Sequence, residues 1–106
     1  MARAATTTDV FTAIAEPRRR DILAALAADE RSVNDLVDML ECAQPSVSKH
    51  LRVLSEVGLV SARRDGRHVR YRVNADAIRS LHEWTGTFAR VWRHQLSRVK
   101  ARAEEQ

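Results

Sequence analysis

The chain is 106 residues long, 44% hydrophobic and 30% charged, which suits one folded domain (1–106) and excludes two independent cores. No stretch approaches the roughly 18 apolar residues of a membrane span, and residues 1–15 lack the apolar core of a secretory signal. The single cysteine excludes an internal disulfide. We therefore expect a cytoplasmic protein. The net charge of +4 favours a polyanionic partner, and the limited burial of so small a chain favours pairing with a second copy.

Two helices are predicted at the start of the chain. Asp9 is suited to cap the first, over 9–15, because its carboxylate can accept hydrogen bonds from the amides of the first turn. Pro17 is tolerated in the first turn of the second helix, which continues to about Ala28. Three consecutive arginines, 18–20, stand at the beginning of this second helix.

A helix-turn-helix is predicted next. Ser32 is a good N-cap for a helix over 33–41, whose apolar residues recur at helical spacing. After a short break, Gln44 opens a fourth helix, and Gly58 ends it because glycine readily adopts the left-handed conformation.

A β-hairpin and a long helix complete the chain. Strands are predicted over 59–64 and 68–73, and the intervening Asp65-Gly66 dipeptide is a strong hairpin signal. Asn74 is suited to cap a last helix over 75–103. Five helices and one hairpin predict a mainly α fold with a small β-hairpin wing, the winged helix-turn-helix.

Charge is distributed unevenly along these elements. Residues 29–41 carry five acidic side chains and one arginine, a net charge of −4. Residues 59–73 carry five arginines and one aspartate, a net charge of +4. The positive charge of the protein is therefore concentrated in the predicted hairpin.

The beginning of the fourth helix is the candidate for reading DNA. The early residues of such a helix reach base edges in the major groove, and polar side chains there can bond to bases and phosphates. An ordinary solvated helix face is the alternative reading. The candidate contacts from the helical pattern are Gln44, Ser46, Ser48, Lys49 and Arg52.

The hairpin is the second candidate DNA contact. Each phosphate that a basic side chain neutralises releases counterions and makes binding more dependent on salt. The alternative is an edge hairpin protected by charge against aggregation, but four arginines exceed what that protection requires. The candidate contacts are Arg63, Arg64, Arg67, His68 and Arg70.

Three segments carry a resemblance to a known family: DVFTAIAEPRRRDIL at 9–23, QPSVSKHLRVLSEVGLV at 44–60 and RRDGR at 63–67. Together they resemble the ArsR-type repressor family, and the match runs continuously from about Asp9 to Asn74. The resemblance implies a winged-helix homodimer that binds an inverted-repeat operator, often near the promoter of its own operon. It also implies recognition positions that include Pro45 as well as the helix residues above, and wing positions Arg64, Arg67 and His68.

One residue departs from the family pattern. Members often carry serine as the cap of the recognition helix, whereas this chain has Ala43. The Gln44-Pro45 pair must therefore begin the helix without a capping hydroxyl.

An apolar stripe on the last helix is predicted to pair two copies. The resemblance places the dimer interface on the first and last helices, 9–15 and 75–103. A ligand pocket is the alternative reading of aromatic residues at this spacing, but packing is the commoner use. The predicted interface residues are Phe11, Ile14, Leu81, Trp84, Phe88 and Trp92.

Metal sensing is disfavoured. Many relatives release DNA on binding metal through a cysteine pair on the helix that begins here at Ser32, where this chain has serine, valine and asparagine. Hydroxyl and amide groups are poor ligands for soft metals. The family's other metal site is unmatched, since His82 and His94 lack its spacing from Asp76. We therefore expect no metal and no cofactor.

The sequence thus predicts a homodimeric DNA-binding repressor that is associated with the nucleoid when bound. A metal- or thiol-responsive sensor of the same fold and a protein-interaction winged helix stay as alternatives. Cys42 is expected to be a small buried residue rather than a redox switch, because no basic neighbour in sequence favours its thiolate. No enzymatic motif is present, so we do not expect an enzyme.

Overall fold

The computed structural model describes residues 9–104, and the chain divides into two units, one ending at Ala75 and the other beginning at Asp76. The first unit contains four helices and a two-stranded sheet. These are α1 (Val10–Ala15), α2 (Pro17–Ala28), α3 (Val33–Leu40), α4 (Gln44–Glu56), β1 (Val60–Asp65) and β2 (His68–Val73). Each predicted element up to Val73 is present, with boundaries that differ by one or two residues.

The predicted caps of the first and third helices form. The Thr12 amide donates to Asp9 Oδ1 (2.8 Å) at the start of α1. At the start of α3, the Asp35 amide donates to Ser32 Oγ and the Ser32 amide donates to Asp35 Oδ2, both at 3.1 Å. This reciprocal pair is a capping box, which satisfies two amides that the helix leaves without partners.

The three arginines at the beginning of α2 bind the ends of neighbouring helices. Arg19 Nε donates to the Ala13 carbonyl (2.7 Å), and Arg20 Nη1 donates to the Ile14 carbonyl (2.8 Å), both on α1. Arg18 Nη1 donates to the carbonyl of Leu40 at the end of α3 (3.4 Å). Positive charge beside the last carbonyls of a helix is favourable, so these arginines join α1 and α3 to α2.

The hydrophobic core lies among the helices of the first unit and the base of its hairpin. Two turns of α4 face inward through Val47, Leu51 and Leu54, each exposed by 1% or less. Close packing of such side chains supplies most of the stability of a small domain. The other buried residues are Ala13, Ile22, Leu26, Leu36, Leu59 and Val60.

The hairpin pairs β1 with β2 in antiparallel register around Gly66, whose φ of 65° is the left-handed conformation that the turn requires. Arg63 is opposite Arg70, and Arg64 is opposite Val69. Because side chains alternate along a strand, the first pair and the second pair point to opposite faces of the hairpin.

A single-residue strand, which the sequence analysis missed, joins the loop after α2 to the hairpin. The amide of Arg31 donates to the carbonyl of Tyr71 (3.1 Å), and the amide of Tyr71 donates to the carbonyl of Arg31 (2.8 Å). One residue is too short to produce an alternating pattern, so the sequence carries no periodic signal for it. The bridge fixes the acidic loop 29–32 against β2.

Asn74 ties the base of the hairpin together. Its Nδ2 donates to the carbonyl of Gly58 (2.8 Å), and its Oδ1 accepts from Ser61 Oγ (2.9 Å). Asn74 also directly precedes the helical segment predicted at the end of the chain; that its side chain caps this segment stays a prediction.

The second unit contains two helices where one was predicted. The expected helix over 75–103 is interrupted, and the structure has α5 (Ala75–Gly86) and α6 (Ala89–Glu104), which makes six helices within residues 9–104 rather than the five predicted. Glycine weakens a helix, and Thr87 then bonds to the carbonyl of Trp84 through its amide (3.0 Å) and its Oγ1 (2.7 Å). This three-residue spacing tightens the last turn of α5 and ends it.

Within residues 9–104, no helix combines the length and the apolar character needed to cross a membrane.

Candidate nucleic-acid interface

The turn between α3 and α4 sets the direction of the candidate recognition helix. Glu41 ends α3 in the left-handed conformation (φ 53°, ψ 44°), and α4 begins three residues later. Ala43 is the N-cap of α4 and makes no side-chain cap, as its methyl group predicts. Its carbonyl accepts from the amides of Ser46 and Val47 (both 3.1 Å). The helix therefore begins on backbone bonds alone.

The polar residues predicted at the start of α4 differ in exposure. Gln44, Pro45, Lys49 and Arg52 are exposed, whereas Ser46 and Ser48 are half-buried. The opposite side of α4 is fixed in the core by Val47, Leu51 and Leu54. An exposed polar side on a helix whose other side is anchored can be presented to a duplex without rearrangement.

His50 links α4 to α2, a contact that the sequence did not reveal. Its Nδ1 lies 3.4 Å from Arg19 Nη1. Burial and the positive charge of Arg19 hold the pKa of His50 below its ordinary value of 6.5. The neutral imidazole is therefore favoured at this junction, where it can accept a hydrogen bond from the guanidinium.

The tip of the hairpin is exposed and basic. Arg64, Arg67 and His68 are exposed and surround Gly66. In the part of the chain that the structure describes, none of the three forms an ion pair with an acidic residue. Their donors are directed to solvent and are available to a phosphate backbone.

Arg63, a predicted DNA contact, is paired within the chain. Its Nη2 lies 2.6 Å from Glu30 Oε1, and its Nε donates to the same oxygen at 3.1 Å. The hydrogen bond from Arg63 lowers the pKa of the Glu30 carboxyl below its ordinary value and raises the pKa of Arg63. Planar two-point contacts of this kind are the geometry that arginine also uses for phosphate.

Arg70 and Arg72 also have partners on the chain. Arg70 Nε lies 3.3 Å from Asp65 Oδ2, and Arg72 Nε donates to Ser61 Oγ at 3.4 Å. Both arginines share a face of the hairpin with Arg63. The acidic stretch 29–41 and the basic stretch 59–73, which are separate in sequence, are thus brought together along this face.

The structure offers no metal centre among residues 9–104, since no three His, Cys, Asp or Glu side chains are grouped for coordination. Cys42 is a free thiol and is half-buried. The expectation of a buried cysteine was therefore wrong in degree, because the residue lies in the turn between α3 and α4 rather than in the core.

Large apolar side chains are exposed on both units. On α1, Phe11 is 48% exposed and Ile14 is half-buried; on α5, Leu81 is half-buried and Trp84 is 51% exposed. The rings of Trp84 and Phe88 meet edge to face, with centroids 5.1 Å apart. A shallow groove beside this pair, within the second unit, is lined by Phe88, Val91, Trp92 and Gln95.

A helix-turn-helix followed by a basic β-hairpin defines the class of winged helix-turn-helix DNA-binding regulators. Residues 16–62 match the family model described as bacterial regulatory protein, arsR family. The chain belongs to this ArsR family.

Named relatives agree with this assignment. The chain is 30% identical over 80 residues to the transcriptional repressor SdpR of Bacillus subtilis, which covers 76% of this chain and 89% of SdpR. It is 42% identical over 65 residues to the HTH-type transcriptional repressor SmtB of Mycobacterium tuberculosis, covering 61% of this chain and 48% of SmtB. The chain thus spans about half the length of the second relative.

A solved structure is similar over most of the chain. It is the homodimeric winged helix-turn-helix DNA-binding domain Mb0332 of Mycobacterium bovis, described as a possible ArsR-family transcriptional regulator. The TM-score is 0.64 at 33% identity, and the match covers 74% of this chain and 76% of that one.

Proposed function

We propose that this protein is a homodimeric repressor of transcription that binds an inverted-repeat operator near its own or an adjacent operon. The observation that carries the proposal is the exposed polar side of α4, held in the core on its other side, next to a hairpin with a basic tip. Membership of the ArsR family supports the same function.

In this proposal α4 enters the major groove and specifies the sequence. Lys49 and Arg52 can contact guanine or phosphate, and Gln44 can bond to adenine through its carboxamide. The half-buried Ser46 and Ser48, with Pro45 beside them, lie at the beginning of the helix and approach the sugar-phosphate backbone of the DNA. The tip of the hairpin, through Arg64, Arg67 and His68, contacts flanking phosphates, which the two arginines neutralise.

The second copy covers the apolar surfaces of the terminal helices. Exposed aromatic rings in a small domain are commonly covered by association, and a relative of known structure is described as homodimeric. The proposed interface comprises Phe11, Ile14, Leu81, Trp84, Phe88 and Trp92. A two-fold dimer presents its two recognition helices to successive major grooves about 34 Å apart. In this proposal, the dimer bound at the operator blocks RNA polymerase.

A mobility shift tests the proposal. The purified protein is titrated onto the DNA upstream of its own gene and onto an unrelated duplex of equal length, at two salt concentrations. We expect selective binding that weakens with salt, and a Lys49→Ala, Arg52→Ala double variant that loses at least about tenfold in affinity for the selected DNA.

The matched control is a Lys100→Ala, Arg102→Ala double variant, which removes the same charge from exposed positions of α6. It is expected to keep its selectivity. An equal loss of affinity for the selected DNA in both double variants would attribute binding to overall charge and would contradict the role of α4.

A further inference from the structure

The five arginines of the hairpin fall into two groups according to their partners. Arg63, Arg70 and Arg72 share one face, where each is bonded to a residue of the chain. Arg64 and Arg67 have no carboxylate partner among residues 9–104. The net charge of the segment therefore overstates the charge that the hairpin can offer to DNA.

Glu30 is the partner of Arg63 and lies outside the hairpin. Its side chain is only 28% exposed, and it contacts Arg63 through two nitrogens, at 2.6 and 3.1 Å from the same oxygen. The next residue, Arg31, forms the backbone bridge to Tyr71. Because the bridge holds the loop against β2, the backbone of the fold places the Glu30 carboxylate beside the Arg63 guanidinium.

Other charged side chains surround this pair. Arg70 and Arg72 act on the Glu30 carboxylate along with Arg63, and Arg70 also acts on Asp35. Asp65 pairs with Arg70 from within the hairpin. A phosphate that approached Arg63 would have to displace the Glu30 carboxylate that already pairs with it.

We propose that Glu30 is a positioning residue of the DNA-binding surface: it occupies Arg63 in place of phosphate and so withholds one phosphate contact from the hairpin. The inference rests on the proposed function, because it assigns the division of labour within the same wing. Phosphate contacts carry no sequence information, so the contact withheld at Arg63 would have added to the affinity for DNA of any sequence. Glu30 therefore lowers the affinity of the wing for DNA of any sequence and makes that affinity less dependent on salt.

The experiment measures the slope of the logarithm of the association constant against the logarithm of salt concentration, on a mixed-sequence duplex. This slope changes by about 0.9 for each additional phosphate that the protein neutralises, and a change in fold stability does not produce such a shift. Glu30→Gln keeps the size of the side chain and removes its charge. We expect it to make the slope steeper by about 0.9 per hairpin.

The double variant Glu30→Gln, Arg63→Gln identifies the arginine responsible. In a chain that already carries Arg63→Gln, adding Glu30→Gln has no cation to release, and we expect no steepening. Arg67→Gln, in the otherwise unchanged chain, is expected to make the slope shallower by about 0.9 per hairpin.

Asp38→Asn is the matched control, since Asp38 lies in the same acidic stretch, is exposed and forms no ion pair within the described residues. Equal steepening in Asp38→Asn and Glu30→Gln would assign the effect to net charge and overturn the proposal. An unchanged slope in Glu30→Gln, or an Arg63→Gln variant as shallow as Arg67→Gln, would also overturn it. If the variants show the expected salt slopes but the protein prefers no DNA sequence, the repressor function is contradicted while the role of Glu30 at Arg63 is upheld.

Discussion

Eight arginines of the first unit illustrate how one residue type takes different roles. The arginines of α2 bond to carbonyls at helix ends, and three of the hairpin arginines bond to carboxylates or a hydroxyl on the chain. Arg64 and Arg67, near the tip of the hairpin, form no ion pair within residues 9–104. The sequence predicts a basic hairpin from composition, but the partners of each arginine depend on which residues the fold brings close, and Glu30 is 33 positions away from Arg63.

His50 provides a residue-scale prediction about pH. Burial, followed by the charge of Arg19, lowers the pKa of His50 in the folded chain. Arg18 and Lys49 act in the same direction, and Glu16 opposes them. Between the folded-state pKa and the ordinary value of 6.5, the unfolded chain binds a proton that the folded chain excludes.

The contribution of His50 to stability is therefore complete above the ordinary pKa and decreases as pH falls through it. We expect the free energy of unfolding, measured in urea, to be lower at pH 5 than at pH 7.5, and the difference to shrink in a His50→Gln variant. An equally large difference in that variant would show that other groups account for the pH dependence.

At the scale of the element, capping and turn chemistry predicted most of the helix and strand boundaries. Asp9 and Ser32 cap α1 and α3 as expected, and Gly58 and Gly66 adopt positive φ where a helix ends and the hairpin turns. The apolar pattern of the last helix continues across Gly86, which is why periodicity alone predicted one helix. Local bonds from Thr87 break it, and such bonds compete with the helix without altering the hydrophobic pattern.

The uncapped start of α4 gives a prediction about stability. Ala43 has the extended conformation of an N-cap (φ −66°, ψ 146°), and the amide of Ser46 is the one that a side chain there can bond, because Pro45 has no N–H. Ala43→Thr is expected to raise the free energy of unfolding by about 1 kcal/mol. Urea titration measures the change.

Ala43→Val is the control for this prediction, since valine has the shape of threonine without its hydroxyl. We expect no comparable gain from it. Equal stabilisation by threonine and valine would attribute the effect to the branched side chain rather than to a cap.

At the scale of the whole molecule, the fold class could be predicted from the sequence. The helix caps, the apolar periodicity, the turn residues and the family resemblance all indicate the same fold. The sequence also contains two segments of opposite charge, net −4 over 29–41 and net +4 over 59–73. The contact between these two segments was not predicted, because the Arg31–Tyr71 bridge that joins them leaves no pattern in the sequence. The recognition residues and the interface of the proposed dimer stay predictions.

The dimer is tested by a charge on its proposed interface. Trp92 is 63% exposed in the single chain, so Trp92→Glu is expected to leave the helix folded while opposing burial against a second copy. Sedimentation should show more monomer in this variant, and affinity for operator DNA should fall with it. Ser97→Glu adds the same charge at a polar position of α6 and is expected to stay dimeric; dissociation of both variants alike would contradict the interface.

Selection of bound duplexes from a random DNA library tests the central claim most directly. We predict enrichment of an inverted repeat whose half-sites are centred about 34 Å apart, one turn of the double helix, and loss of that enrichment in the Lys49→Ala, Arg52→Ala double variant. A folded protein that enriches no sequence from the library would contradict the account of α4 and the hairpin as an operator-reading surface.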